Sequence, residues 1–485
     1  FRGAKTFRRL LSTVKYSPVS AALPETIVKE LESIVGSKSV SVNLSVREQH
    51  ARDESHHCET DGIFPAQVVV FPSSTEEISG IVRLCAKTRT PIVPSGACTS
   101  LEGHIAALRG GVAINTRDMN RILAVNPEDL DCRVQAGVRR KALNEHLRDT
   151  GLFFPVDPGA DASLGGMAST RASGTTTVRY GAMRRNVLGV QAVLADGRVL
   201  RAGSRAPKSS SGYDLTGLLV GSEGTLGIIT ELDLRLYGQP EATLGMVIEF
   251  GSLREAVSHT VAVMQAGIPV ARIEVLDATA CSAVNRYSKT SLAECPTVFM
   301  ELHGTASGVE EDGRRARELA AECGGGGVKW SVSPEERNAL WAARHNAYYA
   351  TLALRPGSKG MPTDACVPLS RLEECICETE ADLRRVGLTG SVVGHVGDGN
   401  FHMILAFDPA DSAEVTAAAE FTRRLARRAI AMGGTCTGEH GVGYGKLEFL
   451  REEHGEAGLW AMSAIKAGLD PLGILNPGKL GSLPA

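Results

Sequence analysis

The chain contains no run approaching the ~18 apolar residues that a membrane-spanning helix requires. It has no GxGxxG between a strand and a helix and no GxxxxGK[ST]; GVGYGK at 441–446 has the wrong spacing and lacks the hydroxyl residue. Those two absences disfavour a nicotinamide dehydrogenase and a P-loop enzyme. CxxC and CxxCH are missing too, and the 11 cysteines are scattered, the only close pair being the CxC of Cys375 and Cys377 inside a helical pattern. A disulfide framework, a redox CxxC, a c-type haem and an iron-sulfur relay are therefore not indicated, and the thiols read as buried groups in a reducing compartment. Excess charge is lacking as well: 52 basic against 55 acidic residues leave a net charge of −3, which suggests no nucleic acid or other polyanion as partner. The remainder is ordinary globular composition, 43% hydrophobic and 22% charged, over 485 residues, a length that divides into about three domains.

The first residues differ from the rest. Arg2, Lys5, Arg8, Arg9 and Lys15 precede any acid, the first being Glu25, and Phe7, Leu10, Leu11 and Val14 form an apolar stripe on a helix. This is the profile of a mitochondrial or plastid transit peptide, with a basic tail or surface helix as the alternative. Residues 1–20 are expected to be a targeting remnant and are set aside from the fold.

Two short glycine-rich stretches carry the most chemistry: GHVGDGNFH, with His395 and His402, and TGEHGVG, with Glu439 and His440. Two neutral imidazoles and a carboxylate suit zinc or manganese, and three protein ligands leave a coordination position for substrate. The histidines are seven apart and straddle a GDGN turn, so they must come from a strand, a turn and the next strand, facing one cavity across a hairpin. Two structural histidines beside a tight turn would have the same spacing. The second acid-histidine pair, in a loop where Gly438, Gly441 and Gly443 allow close approach of the backbone, favours the metal.

Upstream, QVVVFP at 67–72 reads as a strand, and Ser73, Ser74 and Thr75 followed by Glu76 and Glu77 cap a helix through Cys85. A second strand ends in a small-residue loop, Ser95 to Ser100, able to wrap a pyrophosphate. GADASLGGMASTRASGTTTVRYG (159–181) and GSEGTLGIIT (221–230) are further glycine loops, and the three together can enclose one extended cofactor. Gly324 to Gly327 reads as a helix-to-strand connection.

PSGACTSLEGH, the Asp157-Pro158-Gly159 turn, LGGMASTRASG, VRYG, GYDLTGLLVGSEGTLGIIT, GHVGDGNFH, TGEHGVG and NPGK span nearly the whole chain and, in this order, resemble the vanillyl-alcohol-oxidase type of FAD flavoproteins. Within that group the chain is most similar to the members acting on D-lactate, D-2-hydroxyglutarate or glycolate. The resemblance implies an α+β fold: a two-subdomain FAD-binding domain of the p-cresol-methylhydroxylase (PCMH) type over 21–238, an antiparallel-sheet cap domain with the substrate pocket over 239–435, and a short helical C-terminal segment, 436–485, returning to the flavin. By the same resemblance Pro94, Ser95, Gly96, Ala97, Cys98, Thr99 and Ser100 hold the FAD pyrophosphate, helped by Asp157, Pro158, Ser163, Gly165, Gly166, Ser173 and Gly174. Glu223, Gly224 and Ile229 support adenine and ribose, and Asn476 closes the site. Relatives with covalent FAD place a histidine in the first loop; Ala97 and Cys98 stand there, so non-covalent FAD is expected. These two residues also add side chains where backbone should approach phosphate, and Arg171 replaces a usual glycine or asparagine, to meet negative charge, to obstruct the pocket or to point to solvent.

Strands such as ATLGMVIEF, VARIEVL and TVFMELHG suit an antiparallel sheet with helices on one face. WAARHNAYYATLAL reads as one amphipathic helix, on which Arg344 is the family's grip on a substrate carboxylate. Lys359 is a second candidate cation, His345 is read as structural, and Asn400 is placed to steady substrate or a metal-bound water. His395, His402 and Glu439 are then the metal ligands and His440 the general base. The activity implied is FAD-dependent, metal-assisted oxidation of a D-2-hydroxy acid, D-lactate first, in mitochondria, with electrons leaving to a separate acceptor such as cytochrome c. A different acid (D-2-hydroxyglutarate or glycolate), an impaired assembly subunit retaining the flavoprotein fold, and a flavin-free metallohydrolase are the alternatives; the oligomeric state is open, a homodimer included.

Overall fold

The computed structural model describes residues 17–19, 21–331 and 333–480, so nearly all of the basic segment expected at 1–20 lies outside the described residues. Three larger sheets, beside a two-stranded one pairing Leu152–Phe153 with Tyr237–Gly238, organise the described residues. The first has the order Val40–Ser41, Val68–Val70, Val112–Asn115, Ile92–Ser95, with the last three strands parallel. Val68, Val69 and Val70 are all buried, as expected of a parallel strand covered on both faces. The helix expected after it runs Thr75–Thr88: Ser74 Oγ accepts from the Glu77 amide, and the Glu77 carboxylate accepts from the Ser73 amide. The second sheet is antiparallel, in the order Ile122–Asn126, Asp131–Gln135, Ile228–Arg235, Val187–Val193, Val199–Gly203. The strand Ile92–Ser95 delivers the first small-residue loop, and the loop 221–227 feeds the strand Ile228–Arg235.

The third sheet is antiparallel and large: Gly326–Ser331, Ala242–Glu249, Thr297–Gly304, Val270–Leu276, Thr389–Gly394, Asn400–Phe407 and Lys359–Pro362, with Ala365–Cys366 also paired to Asn400–Phe407. Here the expectation of helices on one face is corrected. Met246, Ile248, Met300 and Leu405 pack with helices Leu253–Gln265, Ala306–Glu322, Leu369–Val386 and Ser412–Ala431. Val247, Phe299, Val393 and Ile404 pack with Ala280, Val284, Trp341 and Ala347 of helices on the other face. Successive residues of these strands are apolar because both faces are covered.

A second difference concerns WAARHNAYYATLAL, which is two helices, Pro334–His345 and Ala347–Ala353. Asn346, at φ −78° and ψ −4°, closes one and opens the other, its side-chain amide donating to Ser288 Oγ at 3.3 Å. The expected hairpin is present: Val393 pairs with His402 in antiparallel register, and Gly399, at φ 77°, makes the turn. No described helix is long and apolar enough to cross a membrane.

Candidate active site

Loops far apart in sequence meet around one cavity of about 390 Å³. Its wall includes Pro94, Ser95, Gly96, Ala97, Cys98, Thr99 and Ser100 from the first loop, then Asp157, Pro158, Ser163, Gly165, Gly166 and Ser173. Glu223, Gly224, Ile229 and Asn476 complete that end, and Arg344, His395, His402, Glu439 and His440 form the other. Small residues keep the space open. A side chain at Gly96 would run into Ser163, and Ser163 Oγ itself is buried without a partner, an unmet hydroxyl of the kind a phosphate oxygen satisfies. The residues present thus fit a dinucleotide.

The three expected metal ligands converge. His395 Nε2 lies 3.3 Å and His402 Nε2 3.1 Å from Glu439 Oε1. The remaining atom of each group is held from behind. His395 Nδ1 is 2.6 Å from Glu274 Oε1, His402 Nδ1 is 2.8 Å from the Thr363 carbonyl, and Glu439 Oε2 accepts from Ser173 Oγ at 2.5 Å. Acceptors at both Nδ1 atoms favour hydrogens there, so that with a cation in place of any Nε2 proton both Nε2 lone pairs would face one point, as a metal-binding imidazole needs. Burial alone would push the Glu439 carboxyl up, but the facing His395 and His402 imidazoles outweigh it and hold it well below the usual carboxylate range. Burial likewise opposes a charged His395, yet Glu274 and Glu439 raise its pKa well above the ordinary value. A buried cluster that gathers this much negative potential around two imidazoles fits a divalent cation.

His440 stacks on His402 with ring centroids 5.1 Å apart and planes at 8°. Its Nε2 lies 3.9 Å from Glu439 Oε1, and its buried Nδ1 has no hydrogen-bond partner, with Glu102 Oε1 at 3.8 Å. The loop carrying it is fixed through its backbone: Asp364 Oδ2 accepts from the amides of Glu439 at 2.9 Å and His440 at 2.8 Å. Glu223 accepts from the amides of Val442 and Gly443. Gly443, at φ 52°, has the Glu102 carbonyl where a side chain would be.

Several expected roles meet a different geometry. Lys359 does not line the cavity; its Nζ pairs with Glu59 at 3.0 Å and its side chain is half exposed. Asn400 is buried behind the wall, donating to Asp364 Oδ1 at 2.8 Å and the Ala365 carbonyl at 2.9 Å, so it braces the Asp364 carboxylate instead of meeting substrate. Gly174 sits against Asp157 rather than in the cavity wall. The Glu223 carboxylate is spent on the 441–443 loop and on His104 at 3.3 Å, and its backbone amide and carbonyl are engaged by Ser169 and Asn476, so Glu223 shapes the wall on which its neighbours face a cofactor. Arg171 is exposed, ends the helix Leu164–Thr170 at φ 57° and donates from Nε to the Val220 carbonyl; it does not line the cavity, so of its three readings the surface position agrees with the structure. His345, read as structural, lines the cavity, with Nδ1 2.6 Å from the Trp341 carbonyl. Sequence reading missed Glu274, Asp364 and Glu102. Each is a carboxylate nearly or wholly removed from solvent, and Glu274 stands out in retrospect as the lone acid within the apolar strand VARIEVL.

Comparison with known proteins gives the site its context. Residues 66–203 match the family model described as FAD binding domain, and residues 239–480 that described as FAD linked oxidases, C-terminal domain. A probable mitochondrial D-lactate dehydrogenase of Danio rerio is 51% identical over 97% of this chain and 94% of its own length. A mitochondrial D-lactate dehydrogenase [cytochrome] of Arabidopsis thaliana is 41% identical over 94% of this chain and 80% of its own. The crystal structure of p-cresol methylhydroxylase with substrate bound aligns with a TM-score of 0.77 at 17% identity, covering 95% of this chain and 99% of that one, a likeness of fold. With cavity, loops and sequence in agreement, this chain belongs to the FAD-linked oxidase family of flavoproteins with the PCMH-type FAD-binding fold.

Proposed function

We propose that the chain is a mitochondrial FAD-dependent dehydrogenase that oxidises D-lactate to pyruvate and passes the electrons to a cytochrome. The similarity to relatives named for this activity supports it. The single observation that carries the mechanism is the meeting of the His395, His402 and Glu439 cluster with the flavin loops in one cavity. Residues 21–238 then serve as the FAD-binding domain, 239–435 as the cap and 436–485 as the segment returning to the flavin.

His395 Nε2, His402 Nε2 and Glu439 Oε1 would hold a divalent cation, zinc or manganese, which would supply Lewis acidity toward the substrate hydroxyl, and bound FAD would supply the hydride acceptor. Arg344, buried at the same wall, orients the substrate through its carboxylate. His440 Nε2 receives the hydroxyl proton as the Cα hydrogen leaves as hydride, and pyruvate remains.

The identity of the acid follows from what else lines the cavity. Among its described lining residues Arg344 is the only arginine or lysine, and Val393, Ile404 and Pro362 add apolar surface beside it. One carboxylate is provided for and a second is not; a buried unpaired charge would weaken a dicarboxylate by about 10- to 100-fold or more. In an anaerobic titration of the purified protein, D-lactate is expected to bleach the flavin, L-lactate to leave it oxidised, and D-2-hydroxyglutarate to require at least about tenfold higher concentration. Equal bleaching by lactate and hydroxyglutarate would overturn the choice of acid; a bound flavin that no hydroxy acid reduces would favour the impaired assembly subunit.

FAD is held without a covalent bond in this reading. Cys98 lines the cavity at φ 59°, and burial pushes its thiol up to about 11, away from the nucleophilic thiolate. Acid precipitation should therefore release all the flavin into the supernatant, and Cys98→Gly, which removes the left-handed strain, should retain FAD. Yellow colour remaining in the washed precipitate would contradict this.

A further inference from the structure

Glu274 has no exposed side-chain surface and stands between the two halves of the substrate site. Its Oε1 is 2.6 Å from His395 Nδ1, and its Oε2 accepts from Arg344 Nε at 3.0 Å and Nη2 at 2.7 Å. Three chain segments thus meet on one carboxylate: the strand Val270–Leu276, the helix Pro334–His345 and the turn after the strand Thr389–Gly394. With both oxygens engaged, neither neighbour can move without altering the acceptor of the other.

We infer that Glu274 is a positioning residue that couples metal affinity to substrate affinity, fixing His395 toward the cation and Arg344 toward the substrate carboxylate. The assignment rests on the metal-assisted reading above. Its basis is charge as well as geometry. Glu274 adds negative potential behind a metal ligand, and the Arg344 guanidinium, one residue further along the same hydrogen-bonded line, offsets that potential. The two substitutions that break the line therefore push metal binding in opposite directions. Glu274→Gln keeps the shape but replaces one oxygen by an NH2 group, which faces donors on one side and lacks the charge. Arg344→Gln removes the substrate grip and leaves the Glu274 carboxylate uncompensated beside His395. A general loosening of the site would weaken metal binding in both.

The test uses the FAD-loaded protein stripped of metal by a chelator and titrated calorimetrically with Mn²⁺, alongside KM for D-lactate at saturating Mn²⁺. Glu274→Gln is expected to weaken Mn²⁺ binding about 10- to 100-fold and to raise KM about tenfold. Arg344→Gln is expected to raise KM as well, yet to tighten Mn²⁺ binding by about threefold or more. If Glu274→Gln does not fold, the sign of the Arg344→Gln change decides alone. Unchanged or weaker Mn²⁺ binding in Arg344→Gln, or unchanged Mn²⁺ affinity in Glu274→Gln, overturns the coupling. An unsubstituted protein that D-lactate reduces without binding Mn²⁺ or Zn²⁺ overturns the metal reading itself and this assignment with it.

Discussion

His440→Ala should leave FAD bound and slow flavin reduction by D-lactate by about 10²- to 10⁴-fold, the range that loss of a positioned general base costs. The substitution is well suited to isolate that step. The loop is anchored at His440 by its backbone amide, which donates to Asp364 at 2.8 Å, and alanine keeps that amide while removing the ring stacked on His402. His395, His402 and Glu439 keep their own supports in Glu274, Thr363 and Ser173. Metal and flavin content should therefore match the unsubstituted protein, and stopped-flow absorbance under anaerobic conditions reads the loss directly. Reduction within about threefold of the parent would remove His440 from the proton step.

Loss of the metal should be as severe. Glu439→Ala deletes the one anionic member of the proposed ligand set and leaves two imidazoles, so metal affinity should fall by more than about 100-fold, beyond what outer supports alone contribute. Ser173 Oγ loses its acceptor, but it borders the cavity and can turn to water. The expected result is a yellow protein with a normal flavin spectrum that D-lactate no longer bleaches. Dialysis of the unsubstituted protein against a chelator should reproduce this state, and adding zinc or manganese back one at a time should restore turnover and identify the working ion. A chelated protein of undiminished turnover would remove the metal from the mechanism.

Legibility in the sequence depended on distance along the chain. The hairpin of His395 and His402 is local, seven residues with a GDGN turn, and its register was readable from alternation and glycine. The flavin loops were readable for a similar reason: small residues at strand ends mark backbone that must come close to something. Lys359 and Asn400 stand away from the cavity because nearness in sequence to its lining residues does not say which side of a strand a side chain takes, and Lys359 finds Glu59 from a distant segment. The supports Glu274 and Asp364 are 121 and 75 positions from the groups they hold, beyond any local pattern. The second layer of helices on the large sheet did leave a trace. Met246, Val247 and Ile248 are consecutive apolar residues, and a strand with one solvent face would have alternated.

The cavity is closed by residues synthesised long after its floor. Leu475 bridges Ile92 in parallel, the Asn476 amide donates to the Ile92 carbonyl, and the Asn476 side chain donates to the carbonyls of His104 and Glu223. Lys479, fully buried, donates to the Ala106 carbonyl and to Asn476 Oδ1. A nascent chain that has already folded its first two sheets on the ribosome still has an open flavin site, because folding proceeds from the N-terminal end during synthesis. Tight cofactor capture thus waits for the arrival of Leu475, Asn476 and Lys479, and a product clipped ahead of them would be folded over most of its length yet colourless.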